Sequence, residues 1–340
     1  MKTNTIIQGD ALTELKKLPK ESINCVMTSP PYWALRDYGV NGQLGLEPTF
    51  DKFIDNLCSV FDEVKRVLRN DGTCWVNIGD TYFGSGKGAG GDGNNKESFT
   101  FTEKEKRICN HCSKEFIGWK FQNFCGSACS GVDNTPRTVK GKLPDKCLTL
   151  IPFRFAIEMV NRGWILRNTI IWHKPNCMPS SAKDRFTVDF EYLFFFSKKK
   201  KYYFEQKFEP YEAKMNRWGG DKLKAKGEST WDKGTGQETY RDRSLRPNLK
   251  GRNKRTVWSI CPKPFPEAHF AVYPEALCET PIKSGCPKGG IVLDPFFGAG
   301  TTGVVALKQG KKFIGIELNP EYIEIANKRL KPHIAQRRLS

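Results

Sequence analysis

The stretch that most narrows what this chain can become lies near its end, in Ile291–Pro320: IVLDPFFGAGTTGVVALKQGKKFIGIELNP. An apolar strand stops at Asp294, and a glycine-rich turn follows. A helix is predicted over about Ala299–Gln309 before Gly310 breaks it. A second apolar strand, Lys312–Glu317, then ends on a carboxylate. Gly298 and Gly300 carry no Cβ, so the backbone at the turn can approach a ligand closely. Further along, Glu317 has the spacing of a carboxylate that accepts both hydroxyls of a ribose. Strand, glycine turn, helix and strand in this order specify one unit of a doubly wound, mostly parallel α/β sheet. Gly298-Ala299-Gly300-Thr301-Thr302-Gly303 also spells G-x-G-x-x-G, which by itself points to NAD or FAD at a helix N-terminus.

The same alternation recurs upstream. Ile23–Thr28 (INCVMT) reads as a buried strand that stops at Ser29-Pro30-Pro31. Phe53, Leu57, Val60, Phe61, Val64 and Leu68 fall on one helical face. Asn70-Asp71-Gly72 is a turn signal, and Thr73–Gly79 reads as the next strand. Pro152 opens a helix that buries Phe155, Ala156, Met159 and Val160, with Gly163 as its C-terminal cap. Trp164–Trp172 and Val188–Phe196 are β-rich. The last helix has Asn319 as N-cap, Pro320 in its first position and Pro332 past its end. Two stretches break the pattern and read as insertions, so the chain divides into core parts 1–83, 143–196 and 261–340 around 84–142 and 197–260. Neither insertion is expected to add a strand to the core sheet.

Charge and cysteines restrict the class. The 55 Lys and Arg against 37 Asp and Glu give +18, which draws a protein toward polyanions. The longest nearly uncharged stretch, Gly289–Leu307, holds Asp294 and several glycines and fails as a bilayer helix. The first ten residues lack the apolar core of a signal peptide. Twelve cysteines in such a chain suggest a reducing compartment, where clusters mean metal more often than disulfide. The expectation is a cytoplasmic protein without a membrane partner. Collagen, coiled-coil and disulfide-framework folds are excluded.

At the end of the Ile23–Thr28 strand, Thr28-Ser29-Pro30-Pro31-Tyr32-Trp33 forms a second informative loop. Pro30 and Pro31 have no N–H, so the loop offers carbonyls and the Ser29 hydroxyl as acceptors, beside the ring of Tyr32. That chemistry suits an exocyclic amine on a planar base. The plainer reading is a proline turn carrying two core aromatics. Pairing with the glycine turn favours the first, and it argues against NAD, which leaves this loop unexplained.

Thr28–Trp33 (TSPPYW) and Asp294–Thr302 (DPFFGAGTT) resemble the catalytic and cofactor motifs of S-adenosylmethionine-dependent DNA amino-methyltransferases. The catalytic motif comes first and the cofactor motif last, as in the permuted β group. Ile6–Ala11, Asn77–Tyr82, Ile170–Phe186 and His269–Leu277 match further motifs of the family in order. The resemblance implies a methyltransferase-type doubly wound sheet. It also implies that Ser29 and the Pro30 carbonyl hold the target amine, within a loop shaped by Pro31, and that Tyr32 stacks on an extruded base. Asp294, Phe296, Gly298, Gly300, Thr301 and Thr302 would line the cofactor, with Glu317 at its ribose. Asp10 and Ala11 would lie near its adenine, and His269, Phe270 and Ala271 would close its methionine end. Serine in the first position resembles the N4-cytosine branch, with N6-adenine as the alternative. Related loops beginning with Asn occur in RNA guanine and protein glutamine methyltransferases. A rival from another class is a catalytically inactive zinc-containing DNA-binding protein.

The two insertions take their own readings. Cys109-x2-Cys112 and Cys125-x3-Cys129 have the spacing of a structural tetrahedral zinc site and resemble a treble-clef finger. The other eight cysteines show no ligand spacing. Ser197–Ile260 holds 18 Lys and Arg against 8 Asp and Glu, interleaved with aromatics, and sits where the family carries target recognition. Arg241, Arg243, Arg246, Arg252, Lys254 and Arg255 are the expected contacts to double-stranded DNA, whereas Lys198–Lys201 reads as a solvated run. A cognate restriction endonuclease is a candidate partner, and the source is expected to be prokaryotic or phage.

Overall fold

The computed structural model describes residues 1–34, 40, 42–83, 105–108, 114–118, 143–144, 146–210, 250–262 and 272–336. Its strands are β1 Thr5–Gln8, β2 Ile23–Thr28, β3 Leu68–Ile78, β4 Glu105–Ile108, β5 Glu115–Gly118, β6 Ile165–His173 and β7 Phe190–Ser197. They continue with β8 Phe208–Glu209, β9 Arg252–Asn253, β10 Val257–Ser259, β11 Ile291–Asp294 and β12 Lys312–Glu317. The helices are α1 Ala11–Lys17, α2 Phe50–Val67, α3 Ile151–Asn161, α4 Glu275–Gly285, α5 Thr301–Lys308 and α6 Pro320–Gln336.

Eight strands make one sheet in the order β1-β12-β11-β2-β3-β7-β6-β10. All neighbours are parallel except β7, which runs against both β3 and β6. Helices α1, α2 and α3 cover one face, and α4, α5 and α6 cover the other. This is the mixed α/β layering that the alternating apolar runs predict. Helix α2 shows why such segments hold: Thr49 caps it by accepting from the Lys52 N–H at 3.1 Å, and Phe53, Leu57, Phe61 and Val64 are fully buried along one face. Among the described residues no helix is long and apolar enough to cross a membrane.

Five local expectations are corrected, the first being Val160, which is exposed on α3 rather than buried. Val257–Ser259 does join the core sheet, pairing in parallel with β6 at its edge, so the second insertion ends before β10. Trp258 is what draws it in: the indole is buried and donates to the Arg255 carbonyl at 2.7 Å. Asn70-Asp71-Gly72 is absorbed into an irregular start of β3 rather than forming a separate turn. Pro332 lies inside α6, where it removes one i→i−4 hydrogen bond four residues before the helix ends. Lys198 is not solvated; its side chain is 11% exposed and donates to the Leu68 carbonyl at 2.8 Å.

Candidate active site

Parallel pairing brings the C-terminal ends of β1, β2, β3, β6, β11 and β12 to one edge of the sheet, where α/β folds place ligands. Because β7 runs the other way, it delivers its first residues, Phe190 and Glu191, to that same edge. Strands β2 and β11 are neighbours although their ends are 266 residues apart. The Ser-Pro-Pro-Tyr loop and the glycine turn therefore open side by side on one cavity of about 470 Å³. Ser29, Pro30, Pro31 and Tyr32 line it on one side, and Phe296, Gly298, Thr301 and Glu317 on the other. Asp10 and Ala11 also line it; the Asp10 carboxylate caps α1 through the Thr13 N–H at 2.8 Å.

Asp294 is the hinge pin between the two loops rather than a wall of the cavity. It is fully buried and reached from four sides. Its Oδ1 accepts from Thr28 Oγ1 at 2.6 Å and the Phe296 N–H at 3.1 Å, and its Oδ2 from Tyr273 OH at 3.0 Å and Thr302 Oγ1 at 2.8 Å. Burial nevertheless pushes its carboxyl up to about 7, with these donors pulling the other way. Thr302 is likewise buried beneath the cavity, also within 3.2 Å of the Met27 carbonyl. Both residues hold the two loops together, and neither is among the residues that line the cavity.

The glycines divide their work. Gly298 lines the cavity with φ +49°, and its N–H donates to Glu317 Oε2 at 2.7 Å. Gly300 instead caps α5 at φ +79°, with its Cα facing Ala326 and Phe297 so closely that a Cβ would stand 3.0 Å from the Ala326 methyl. The G-x-G-x-x-G spelling thus serves loop geometry and helix packing, with one glycine open to a ligand.

Glu317 accepts the Gly298 N–H on one oxygen and the Asn319 N–H, at 2.8 Å, on the other. A carboxylate has about four lone-pair sites, so both oxygens keep capacity for a vicinal diol. Burial raises the Glu317 pKa, opposed by these backbone N–H groups. With the rings of Phe296 and Tyr322 also on the wall, the residues fit a nucleoside-containing ligand.

On the other side lies a polar cluster that sequence reasoning missed. Tyr32 OH donates to Glu191 Oε2 at 2.6 Å. Asn77 Nδ2 donates to Glu191 Oε2 and to the Tyr192 carbonyl, each at 3.1 Å. Ser29 Oγ donates to Asn77 Oδ1 at 3.3 Å, and Lys174 Nζ pairs with Glu191 Oε1. Asn77 and Lys174 belong to segments singled out by their motifs, but nothing in those motifs marked them as cavity residues. Glu191 carried a readable signal: a lone acid in the apolar strand Phe190–Ser197.

Of the expected DNA contacts, Arg252 and Arg255 both bind Glu209, at 2.8 and 2.6 Å. Lys254 Nζ lies over the Trp258 ring at 5.2 Å. Arg255 stays largely exposed, whereas Arg252 is mostly covered and braces β8 against β9. Arg241, Arg243, Arg246, His269, Phe270, Ala271 and the cysteines Cys109, Cys112, Cys125 and Cys129 lie outside the described residues. Strands β4 and β5 pair antiparallel, with Cys109 and Cys112 in the connection between them. Among the described residues no three His, Cys, Asp or Glu side chains are grouped to hold a metal.

Comparison with known proteins agrees with this geometry. Residues 23–328 match the N6/N4 methyltransferase family model, a DNA methylase. The Type II methyltransferase M.Cfr9I of Citrobacter freundii is 38% identical over 326 residues, 96% of this chain and 87% of its own length. The chain belongs to the N6/N4 DNA methylase family and is a DNA methyltransferase. Its fold is shared with the PvuII DNA methyltransferase (cytosine-N4-specific), at TM-score 0.58 and 20% identity over 97% of this chain and 86% of that one. It is shared too with a Thermus thermophilus protein assigned as a DNA modification methylase and solved with S-adenosyl-L-methionine, at TM-score 0.51 and 21% identity, covering 97% and 95%.

Proposed function

We propose that the protein transfers a methyl group from S-adenosylmethionine to the N4 amine of a cytosine turned out of duplex DNA. The observation that carries this reading is the meeting of the Ser29 loop and the Glu317 side of the glycine turn in one cavity. Glu317 holds the cofactor's ribose, Gly298 lets its backbone come close, and Phe296 and Tyr322 flank the adenine. When bound, the cofactor supplies a methyl group on a sulfonium centre. The target's amine nitrogen forms the new N–C bond as the S–C bond breaks, and the nitrogen then gives up a proton to water. Ser29 Oγ and the Pro30 carbonyl accept the amine's N–H bonds while positive charge develops there, and Tyr32 stacks on the ring. Catalysis is positioning plus acceptor electrostatics, with no covalent enzyme intermediate. Serine at position 29, which resembles the N4-cytosine branch, supports cytosine over adenine.

Ser29→Ala should lower kcat by at least about a hundredfold while S-adenosylmethionine binding, measured by calorimetry, stays within about threefold. Retained transfer by this variant would contradict the role given to Ser29. The reading extends to a zinc ion held by Cys109, Cys112, Cys125 and Cys129, supported by their spacing and by the β4–β5 hairpin around the first pair. Elemental analysis should find one zinc per chain; metal-free folded protein would refute it. The Type II designation of the Citrobacter relative supports a place in a restriction–modification pair.

A further inference from the structure

We infer that Glu191 is a positioning residue that fixes which way the hydrogen bond between Ser29 and Asn77 points, and so makes the Ser29 hydroxyl an obligate acceptor toward the target amine. The inference rests on the methyl-transfer reading above and adds the device that sets the serine's polarity.

A serine hydroxyl has one proton and two lone pairs, and it can serve an amine as acceptor only if its proton is committed elsewhere. Here Ser29 Oγ meets Asn77 Oδ1, at 3.3 Å. Asn77 is buried, 1% exposed, so its amide cannot trade partners with solvent. An amide could in principle turn over and present Nδ2 to Ser29, which would make the serine accept from it instead. Two acceptors prevent that turn: Glu191 Oε2 and the Tyr192 carbonyl, each 3.1 Å from Asn77 Nδ2. Reversing the amide would set Oδ1 against a carboxylate and a carbonyl, leaving three oxygens facing one another without a proton.

Glu191 thereby locks Asn77, and Asn77 takes the serine's proton. Tyr32 OH also lies 3.5 Å from Asn77 Oδ1, but it has one proton and stands 2.6 Å from Glu191 Oε2, where it donates. Glu191 thus removes the competing donor from Asn77 as well. Lys174 on Oε1 holds the carboxylate in this pose. Both lone pairs of Ser29 remain for the N–H bonds of the substrate.

The isostere Glu191→Gln tests this, because one oxygen becomes an NH2. Whichever way that amide turns, either Lys174 or the Tyr32 and Asn77 pair meets a donor where it needs an acceptor. Under single turnover with labelled S-adenosylmethionine and duplex DNA, Glu191→Gln should slow methyl transfer at least about tenfold, with cofactor affinity within about threefold of wild type. Since Glu191 acts through Ser29, the double variant Ser29→Ala/Glu191→Gln should be no slower than Ser29→Ala alone, within about threefold. Tyr32→Phe, which removes the hydroxyl at Glu191 and leaves the bonds of Asn77 to Glu191, the Tyr192 carbonyl and Ser29, should cost less than Glu191→Gln. A Glu191→Gln rate less than about tenfold below wild type, or effects of Ser29→Ala and Glu191→Gln that multiply, would overturn the inference. Should Glu191→Gln not fold, Asn77→Ala, which removes the proton acceptor itself, is read by the same cycle. Wild-type transfer in the same assay separates the two levels: no transfer by wild type refutes the methyl-transfer reading itself.

Discussion

Asp294 is legible as a strand-end carboxylate, while the hydrogen bonds that hold it are not. Its position at the end of an apolar strand is plain in IVLDPFF, but the donors that surround it come from Thr28, Tyr273 and Thr302, far apart in sequence and invisible to any local pattern. Its buried carboxyl titrates near 7 in the fold, above the unfolded value of about 3.9. The folded state therefore keeps the proton to higher pH, and the associated stability is full below about pH 4 and is lost as pH rises toward 7. Urea unfolding between pH 5 and 8 should show Asp294→Asn gaining on wild type with rising pH, by up to about 1.4 kcal/mol per pH unit below 7. A stability difference independent of pH would contradict a raised pKa at the buried Asp294.

At the scale of elements, the strands and helices were mostly readable because their apolar periods are regular, and the ends of β2, β11 and β12 announced both loops. The antiparallel course of β7 was not readable, since an apolar run such as Phe190–Phe196 has no local mark of direction. That direction is what carries Glu191 to the active edge. Val257–Ser259 escaped notice for a related reason: three residues are too few to show a period, and only long-range pairing with β6 makes them a strand. Gly79, just past β3, shows how tightly the elements shape the Ser-Pro-Pro-Tyr loop. A Cβ there would stand 2.7 Å from Tyr32 Cε2. Gly79→Ala should displace the ring from Glu191 and lower kcat by about tenfold while stability changes by less than about 1 kcal/mol. Thermal melting beside single-turnover kinetics checks this, and an unchanged rate would show that the ring tolerates the shift.

Over the whole molecule, the surplus of +18 is uneven, with +10 in Ser197–Ile260 alone. Part of that charge is spent inside the protein, on Glu209 and the Leu68 carbonyl, which composition could not reveal. Replacing Arg241, Arg243 and Arg246 together by alanine should weaken duplex binding for all sequences and reduce the slope of log affinity against log salt by about three. An unchanged slope would place the phosphate contacts elsewhere.

The central claim is that one cavity joins a methyl donor to a cytosine amine. It is tested most directly by incubating the purified protein with methyl-labelled S-adenosylmethionine and duplex DNA, then digesting the DNA to nucleosides for mass spectrometry. Label should appear in N4-methyldeoxycytidine and be lost in Ser29→Ala. Label in N6-methyldeoxyadenosine alone would contradict the choice of base, and no label in DNA would contradict the account as a whole.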